Sequence, residues 1–508
     1  MRPSPEGTLD ESDHHEWYPE FDKAREPLIG ETEVYIHQLL EVNPETETDE
    51  VTLFAEGEDP SQKPNEAAET ILSFCRFVKS SEAFRKKLQG KPIAIVHDCD
   101  SAGRSRERPS PLTAIQLYDV LSKPRFHLKR FASGSTGHAT TSGPQFTTPR
   151  RGITGSEAQA DDLPDAERRV VFVINIDESV VWSIAATVSP IQAVAMRSFV
   201  SNHLSFKASF DLTILPDGPR IFRMSFHLPF YGLRNALKGV QPLDRRGLRD
   251  TQDIGFMRDS LRTDVDSASL PCEYIYQAEL SCLVIGQDHR TWAAYVFLDN
   301  YDDYENGDIE GDYDQEREAL DKTGIILDPF SSKQLASSHT TPREFFLRVL
   351  EVLSTQASTE WRYTVTRLLS DFDRTRDRHV GSLYDHEDEG RTRRESYSSW
   401  INSVAELVAK LRRSLDDCTN AWALFTAPES DMCYFRAPGK PWDMTGRNKL
   451  RINIIMKNFE QMSSMLRKLD MVAKELTRTT NEVRSIPYET TPTDDDDDNY
   501  LDFGVKMN

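Results

Sequence analysis

The chain has 508 residues, with 83 acidic against 61 basic side chains and a net charge of −22. That length holds about two to four domains, and 38% apolar with 9% aromatic residues supplies real cores. The charge argues against nucleic acid and anionic lipid as partners, because both repel an acidic surface. The longest wholly apolar run is Trp292–Leu298. It is far shorter than the roughly 20 residues of a spanning helix, so no membrane span is expected. Six scattered cysteines without a C-x-x-C pair read as reduced thiols of a cytoplasmic protein.

Residues 1–65 are acidic with scattered Pro, and are expected to be mostly disordered apart from a short helix at Val34–Leu40. Residues 66–131 read as a small α/β lobe. It holds an amphipathic helix (Ala67, Ile71, Phe74, Val78, Phe84, Leu88), a strand over Lys91–Cys99 and a helix over Leu112–Leu121. Residues 132–168 form a linker, and Ser, Thr and Gly make up most of Ala132–Thr148.

Residues 169–330 carry the β-rich part. Val170–Ile176 is a buried strand by its β-branched content, and Ile191–Leu204 has helical spacing. Ser209–Leu215 and Arg220–Leu228 alternate with period 2 around Pro216-Asp217-Gly218-Pro219, a hairpin signature. Gln277–Ile285 and Thr291–Leu298 repeat it. The fold class expected is α+β: a mixed sheet domain followed by a long-helix bundle, with the N-terminal lobe and disordered termini.

The bundle is expected over 343–486. Arg343–His379, Glu395–Ala427 and Arg447–Ile486 contain neither Pro nor Gly. Ile401, Val404, Val408, Leu411, Leu415, Cys418, Trp422 and Phe425 form one apolar stripe. Ile455, Phe459, Met462, Leu466, Leu469, Ala473, Leu476 and Val483 form another, which Ile452, Met465 and Val472 widen. A stripe that broad wants more than one neighbouring helix. Self-association through 447–486 is one way to supply it, and burial within the chain is the other. Residues 487–508, with five consecutive Asp, read as a disordered tail.

Chemistry-bearing motifs are sparse. Asp299–Glu316 holds nine carboxylates. Asp299, Asp302, Asp303, Glu305, Asp308, Asp312 and Asp314 could offer oxygen ligands to Mg²⁺ or Ca²⁺. Their spacing does not fit an EF-hand, so binding is expected to be weak, and a solvated acidic loop is the plainer reading. His97-Asp98-Cys99-Asp100 could bind zinc or activate Cys99, but no second cluster stands at a suitable spacing. His227, inside a strand, reads as a satisfied sheet residue. No G-x-S-x-G, H-E-x-x-H, Walker A or G-x-G-x-x-G occurs. No cofactor and no enzymatic reaction are indicated.

Three stretches carry a resemblance: Phe226–Arg234 (FHLPFYGLR), Gln287–Glu305 (QDHRTWAAYVFLDNYDDYE) and Thr341–Val352 (TPREFFLRVLEV). They resemble a group of filamentous-fungal proteins that is similar to the cytosolic part of CorA-like divalent-metal transporters. The resemblance spans roughly 169 to 486. It implies an α/β cytosolic domain followed by long helices, the last running into a transmembrane pair. Here the last helix meets Pro487 and an Asp run, and the Gly-Met-Asn pore signature is missing; Met507-Asn508 follows no membrane helix. The function expected is a soluble, non-catalytic assembly or regulatory protein. The alternatives are a divalent-metal sensing or transport-related protein and an enzyme with a dispersed site.

Overall fold

Successive residues of the central strands are apolar on alternate sides, and both sides are buried. The computed structural model describes residues 17–42, 49–57, 65–76, 88–100, 102–106, 110–126, 165–215, 220–236, 244, 246–259, 272–299, 341–382, 390–435 and 446–485. Its strands are β1 (Ala94–Cys99), β2 (Pro111–Leu112), β3 (Arg168–Ile174), β4 (Ser209–Ile214), β5 (Phe222–Ala236), β6 (Thr251–Asp253), β7 (Cys272–Gly286) and β8 (Trp292–Leu298). They form one sheet in the order β2-β1-β3-β8-β7-β5-β4, with β6 also on β7. All pairs are antiparallel except β3 with β8.

Both expected hairpins are present, with Ser209 opposite His227 in one and Gly286 opposite Trp292 in the other. Gly286 is required by close approach: a Cβ there would lie 2.5 Å from the Trp292 Cβ. β1 pairs with β3, so the strand of the N-terminal lobe is part of the central sheet.

The helices are α1 (Tyr35–Val42), α2 (Glu50–Glu56), α3 (Glu66–Phe74), α4 (Ala114–Leu121), α5 (Glu178–Ala185), α6 (Pro190–Leu204), α7 (Phe256–Asp259), α8 (Pro342–Ser382), α9 (Gly390–Phe425) and α10 (Gly446–Ser485). Val171, Val173, Leu283, Ile285, Ala293, Tyr295 and Phe297 face a core shared with α1 to α6. Their strand neighbours Val170, Phe172, Cys282, Val284, Ala294 and Val296 face a core shared with the three long helices. The result is three layers, helices on both faces of a mixed sheet.

The three long helices follow the expected ranges to within a few residues. Every residue of the α9 stripe is buried, and Leu411, Leu415 and Cys418 completely so. In α10 the flanking Ile452, Met465 and Val472 are buried too, because α10 packs against both α8 and α9. Trp422 and Phe459 stack with centroids 4.2 Å apart, and Asn458 donates to the Ser354 hydroxyl at 3.0 Å. The broad stripe therefore meets two helices of its own chain, so its width no longer calls for a second copy.

The N-terminal segment departs from expectation. Residues 17–42 and 49–57 are structured, and Trp17, Phe21, Tyr35, Ile36, Val51 and Phe54 are buried. Trp17 and Phe21 pack on Phe222 with ring centroids 5.2 and 5.4 Å away. The Arg343 guanidinium, itself buried, lies 4.2 Å over the Trp17 ring and donates to the Tyr434 carbonyl. Acidic composition describes the exposed side of this segment, whereas a few large apolar residues fix it to the sheet and to α8. The expected 67–88 helix is realised as α3, and residues 77–87 lie outside the described residues.

Truncating the long-helix core at two distant points should be costly, with different reach. Leu411→Ala should cost about 2–5 kcal/mol in equilibrium denaturation, since the side chain has no exposure. Trp17→Ala should cost about 3–5 kcal/mol and should also speed limited proteolysis between residues 17 and 57, a local effect that Leu411→Ala should not share.

Candidate functional site: a sealed His–His–Glu cluster

One buried strand breaks its apolar pattern on a single face. β7 reads Gln277, Glu279, Ser281 at period 2, in the same alternation as Leu283 and Ile285, which face the core shared with α6. His227 of β5 stands opposite Ser281 on the same face, and Asp299 follows the end of β8. α6 contributes His203 from its last turn. His203, His227, Glu279 and Ser281 are fully buried.

The placement of His203 depends on a turn at 244–249. Asp244 accepts from the backbone N–H groups of Arg246, Leu248 and Arg249 at 3.1, 3.1 and 2.8 Å. That turn aims two guanidiniums inward. Arg246 Nη1 lies 2.8 Å from Asp299 Oδ1, and Arg249 Nε lies 2.6 Å from Asp299 Oδ2. Arg249 Nη2 also donates to the His203 carbonyl at 2.8 Å, capping the carbonyl end of α6 with a cation. The Glu279 backbone N–H donates to Asp299 Oδ2 at 3.0 Å. Helix α6, the turn, β7 and the end of β8 thus meet at one carboxylate.

At the centre is the Ser281 hydroxyl. His203 Nδ1 and His227 Nδ1 each lie 2.8 Å from Ser281 Oγ. His227 Nδ1 is also 3.3 Å from Glu279 Oε1, and Arg249 Nη2 is 3.6 Å from Glu279 Oε2. His203 Nε2 lies 3.7 Å from Asp299 Oδ1, too long for a hydrogen bond. Phe199 and Phe297 wall the imidazoles, with ring centroids 5.1 Å from His227 and 5.4 Å from His203. Among the described residues, both carboxyl oxygens of Glu279 and the Nε2 atoms of both histidines lack a hydrogen-bond partner of good geometry.

The electrostatics follow from burial. Burial lowers His203 to about 4, against the partial offset of Asp299. It drives His227 well below its usual range, helped by His203 and Arg249. Burial raises Glu279 well above the carboxylate range, and Arg249 offsets only part of this. Burial alone would raise Asp299 as well, but Arg249 and Arg246 outweigh it and hold the group well below its usual range. Burial thus favours neutral imidazoles and the protonated form of Glu279, while two guanidiniums favour the carboxylate of Asp299.

The order Asp299, His203, Ser281 imitates a hydrolase relay. It cannot act as one, because Ser281 lies inside a central strand, is fully buried and is shared between two imidazoles. Those residue types suit a different task. Among the described residues, His203, His227 and Glu279 each place one ligand atom within 4.8 Å of the others, the geometry of a small cation site.

The residues singled out in the sequence fare differently. Asp299 is buried, with its oxygens taken by Arg246 and Arg249, so it is not an open ligand in a solvated loop. Asp302, Asp303, Glu305, Asp308, Asp312 and Asp314 lie outside the described residues. In the His97–Asp100 stretch the carboxylates are already engaged: Asp98 holds the Arg169 fork at 2.8 and 2.7 Å, and Asp100 holds Arg104. Burial pushes the Cys99 thiol up to about 11, which makes it a poor nucleophile. The sequence reads His227 as satisfied in its sheet; its Nδ1 is, and its Nε2 is not. Sequence reasoning misses His203, Glu279, Ser281, Arg246 and Arg249. The one legible signal is the polar period-2 series in β7, within an otherwise apolar strand.

A second polar cavity, about 40 Å³, is lined by residues including Glu31, Arg125, Arg169, Gln192 and Tyr295. Its guanidiniums are committed, Arg125 to Glu31 and to three backbone carbonyls and Arg169 to Asp98. That leaves room for little more than water.

No known protein family matches the chain, and no curated protein is similar to it.

Three outcomes are expected of the metal-free protein. Arg249→Met should cost about 3–5 kcal/mol, because it strands buried Asp299 beside one guanidinium. Below pH 6.5 the unfolded chain protonates histidines that the fold keeps neutral, so stability should fall as pH drops from 6.5 toward about 4, where His203 titrates. Glu279 has the opposite sign: the fold keeps a proton that the unfolded chain releases above its ordinary 4.5. Glu279→Gln, compared with the parent in chelator, should therefore gain relative stability as pH rises above about 4.5. A difference that stays constant with pH would show that Glu279 is ionised in the fold.

Proposed function

We propose that this chain is a soluble, non-catalytic assembly or regulatory protein, related in plan to the cytosolic part of CorA-like proteins. The single observation that carries the reading is the sealing of the polar cluster. Among the described residues, His203, His227, Glu279 and Ser281 converge, yet they have no exposure, and Phe199 and Phe297 wall the imidazoles. A site that admits no substrate orders a fold; it does not turn over. The mixed sheet followed by three long helices supports the CorA-like plan at the level of architecture. Among the described residues no helix is long and apolar enough to cross a membrane.

Assembly, on this reading, uses surfaces other than the α10 stripe. Leu450 and Met471 of α10 and Leu424 of α9 are large apolar side chains left more than half exposed.

The experiment is quantitative affinity purification from the native cell with light scattering of the purified chain. A stoichiometric partner, or a mass above one chain, is the expected result. A monomer without partners, showing a turnover that Ser281→Ala abolishes while the fold persists, would replace this reading with an enzyme.

A further inference from the structure

We propose that His203, His227 and Glu279 bind one zinc-class transition-metal dication, which ties α6 to β5 and β7 inside the protein. Its ligands are not the carboxylates of the acidic run Asp299–Glu316, whose oxygens would suit Mg²⁺ or Ca²⁺. Two imidazoles and one carboxylate are a donor set for zinc and its neighbours, and a poor one for the hard cations.

The geometry supports the site at three points. The two Nδ1 atoms converge, each 2.8 Å from Ser281 Oγ, and Glu279 Oε1 lies 3.3 Å from His227 Nδ1. Zinc ligands at about 2.0–2.1 Å and tetrahedral angles lie about 3.4 Å apart. The His227–Glu279 pair already has that separation, and the full set lies within 4.8 Å, so small ring rotations close it. Next, Glu279 is fully buried, neither carboxyl oxygen has a hydrogen bond of good geometry among the described residues although the Ser281 hydroxyl is a close neighbour, and the group is aimed at the imidazoles. A buried carboxyl in that state calls for a ligand. Last, His203 Nε2 faces Asp299 Oδ1 at 3.7 Å. A carboxylate behind a ligating imidazole is the usual outer support of a metal-bound histidine, and a slight turn of the ring would make the bond.

Charge permits the ion. Arg246 and Arg249 are balanced by Asp244 and Asp299. The metal displaces the Glu279 proton, leaving one positive charge, as zinc carries with any two imidazoles and one carboxylate. The Ser281 hydroxyl, between the two Nδ1 atoms, is the neutral oxygen closest to the fourth position. Because the cluster is sealed, the ion enters before α6 docks and leaves only on unfolding.

The test uses the full chain without a histidine tag. Metal content is measured as purified from zinc-replete cells. The chain is then unfolded in chelator and refolded without metal, with Zn²⁺, with Co²⁺ and with Mg²⁺. The expected result is one zinc per chain, retained against chelator until unfolding. Zn²⁺ should raise the melting temperature and Mg²⁺ should not. The cobalt form should show tetrahedral visible bands without a thiolate charge-transfer band. Glu279→Gln and His203→Gln should each lose the bands and weaken zinc binding at least about tenfold. A parent chain that holds no metal in either preparation overturns the proposal, as does a cobalt spectrum that persists in both folded variants. If the variants do not fold, X-ray absorption of the parent zinc form decides: two imidazoles with oxygen sustain the site, and sulfur or an all-oxygen shell removes it.

Discussion

Burial of the central sheet on both faces is the constraint on which the rest of the structure depends. A sheet with one wet face can place a carboxyl or an imidazole toward water. Here the stretches of β5 and β7 around His227, Glu279 and Ser281 have no wet face, so each of those polar side chains must find a partner inside or lose its charge. Asp299 meets the demand with two guanidiniums, whereas burial pushes Glu279 toward its neutral form. Two carboxyl groups, joined through the Glu279 N–H to Asp299 Oδ2 contact, are thus pushed in opposite directions. Only one of them lies between the arginines.

The same constraint explains why one arginine serves so many elements. Arg249 closes the last turn of α6, neutralises Asp299 and approaches Glu279. A lysine could not do this, because a single ammonium lacks the planar fork that reaches two acceptors on one side and a carbonyl on the other. The turn that presents Arg249 is held by the Asp244 carboxylate and needs positive φ at Gly247, at 65°. A short polar loop thereby sets where a helix end lies against a sheet.

Much of the fold was legible in the sequence. Uninterrupted 3–4 spacing located the three long helices, and period-2 alternation on either side of turn residues located both hairpins. These signals are local, so they survive without tertiary information. What escaped was non-local. β1 joins β3 although the whole of 100–167 separates them in the chain, and nothing in either strand names the other. Acidic composition over 1–65 masked Trp17, Phe21 and Phe54, because an average cannot register a few anchors. Asp299 opens a run of nine carboxylates and looked like its neighbours in sequence, yet its partners are Arg246 and Arg249. The candidate site was therefore the least legible part, its ligands drawn from α6, β5 and β7. The β7 polar series pointed to a face but could not say what stood opposite it.

The single parallel pair has a consequence for how the chain is made. β3 cannot complete its place in the sheet until β8 exists, and 175–291 lies between them. The side that carries Phe172, Phe226, Leu280 and Val296 is then covered by helices that begin only at Pro342 and end at Ser485. During synthesis the N-terminal part therefore presents a finished apolar sheet face to water while its cover is still being made. A growing chain in that state is a ready client for chaperones. A product cut short before the long helices would be left with that face open for good.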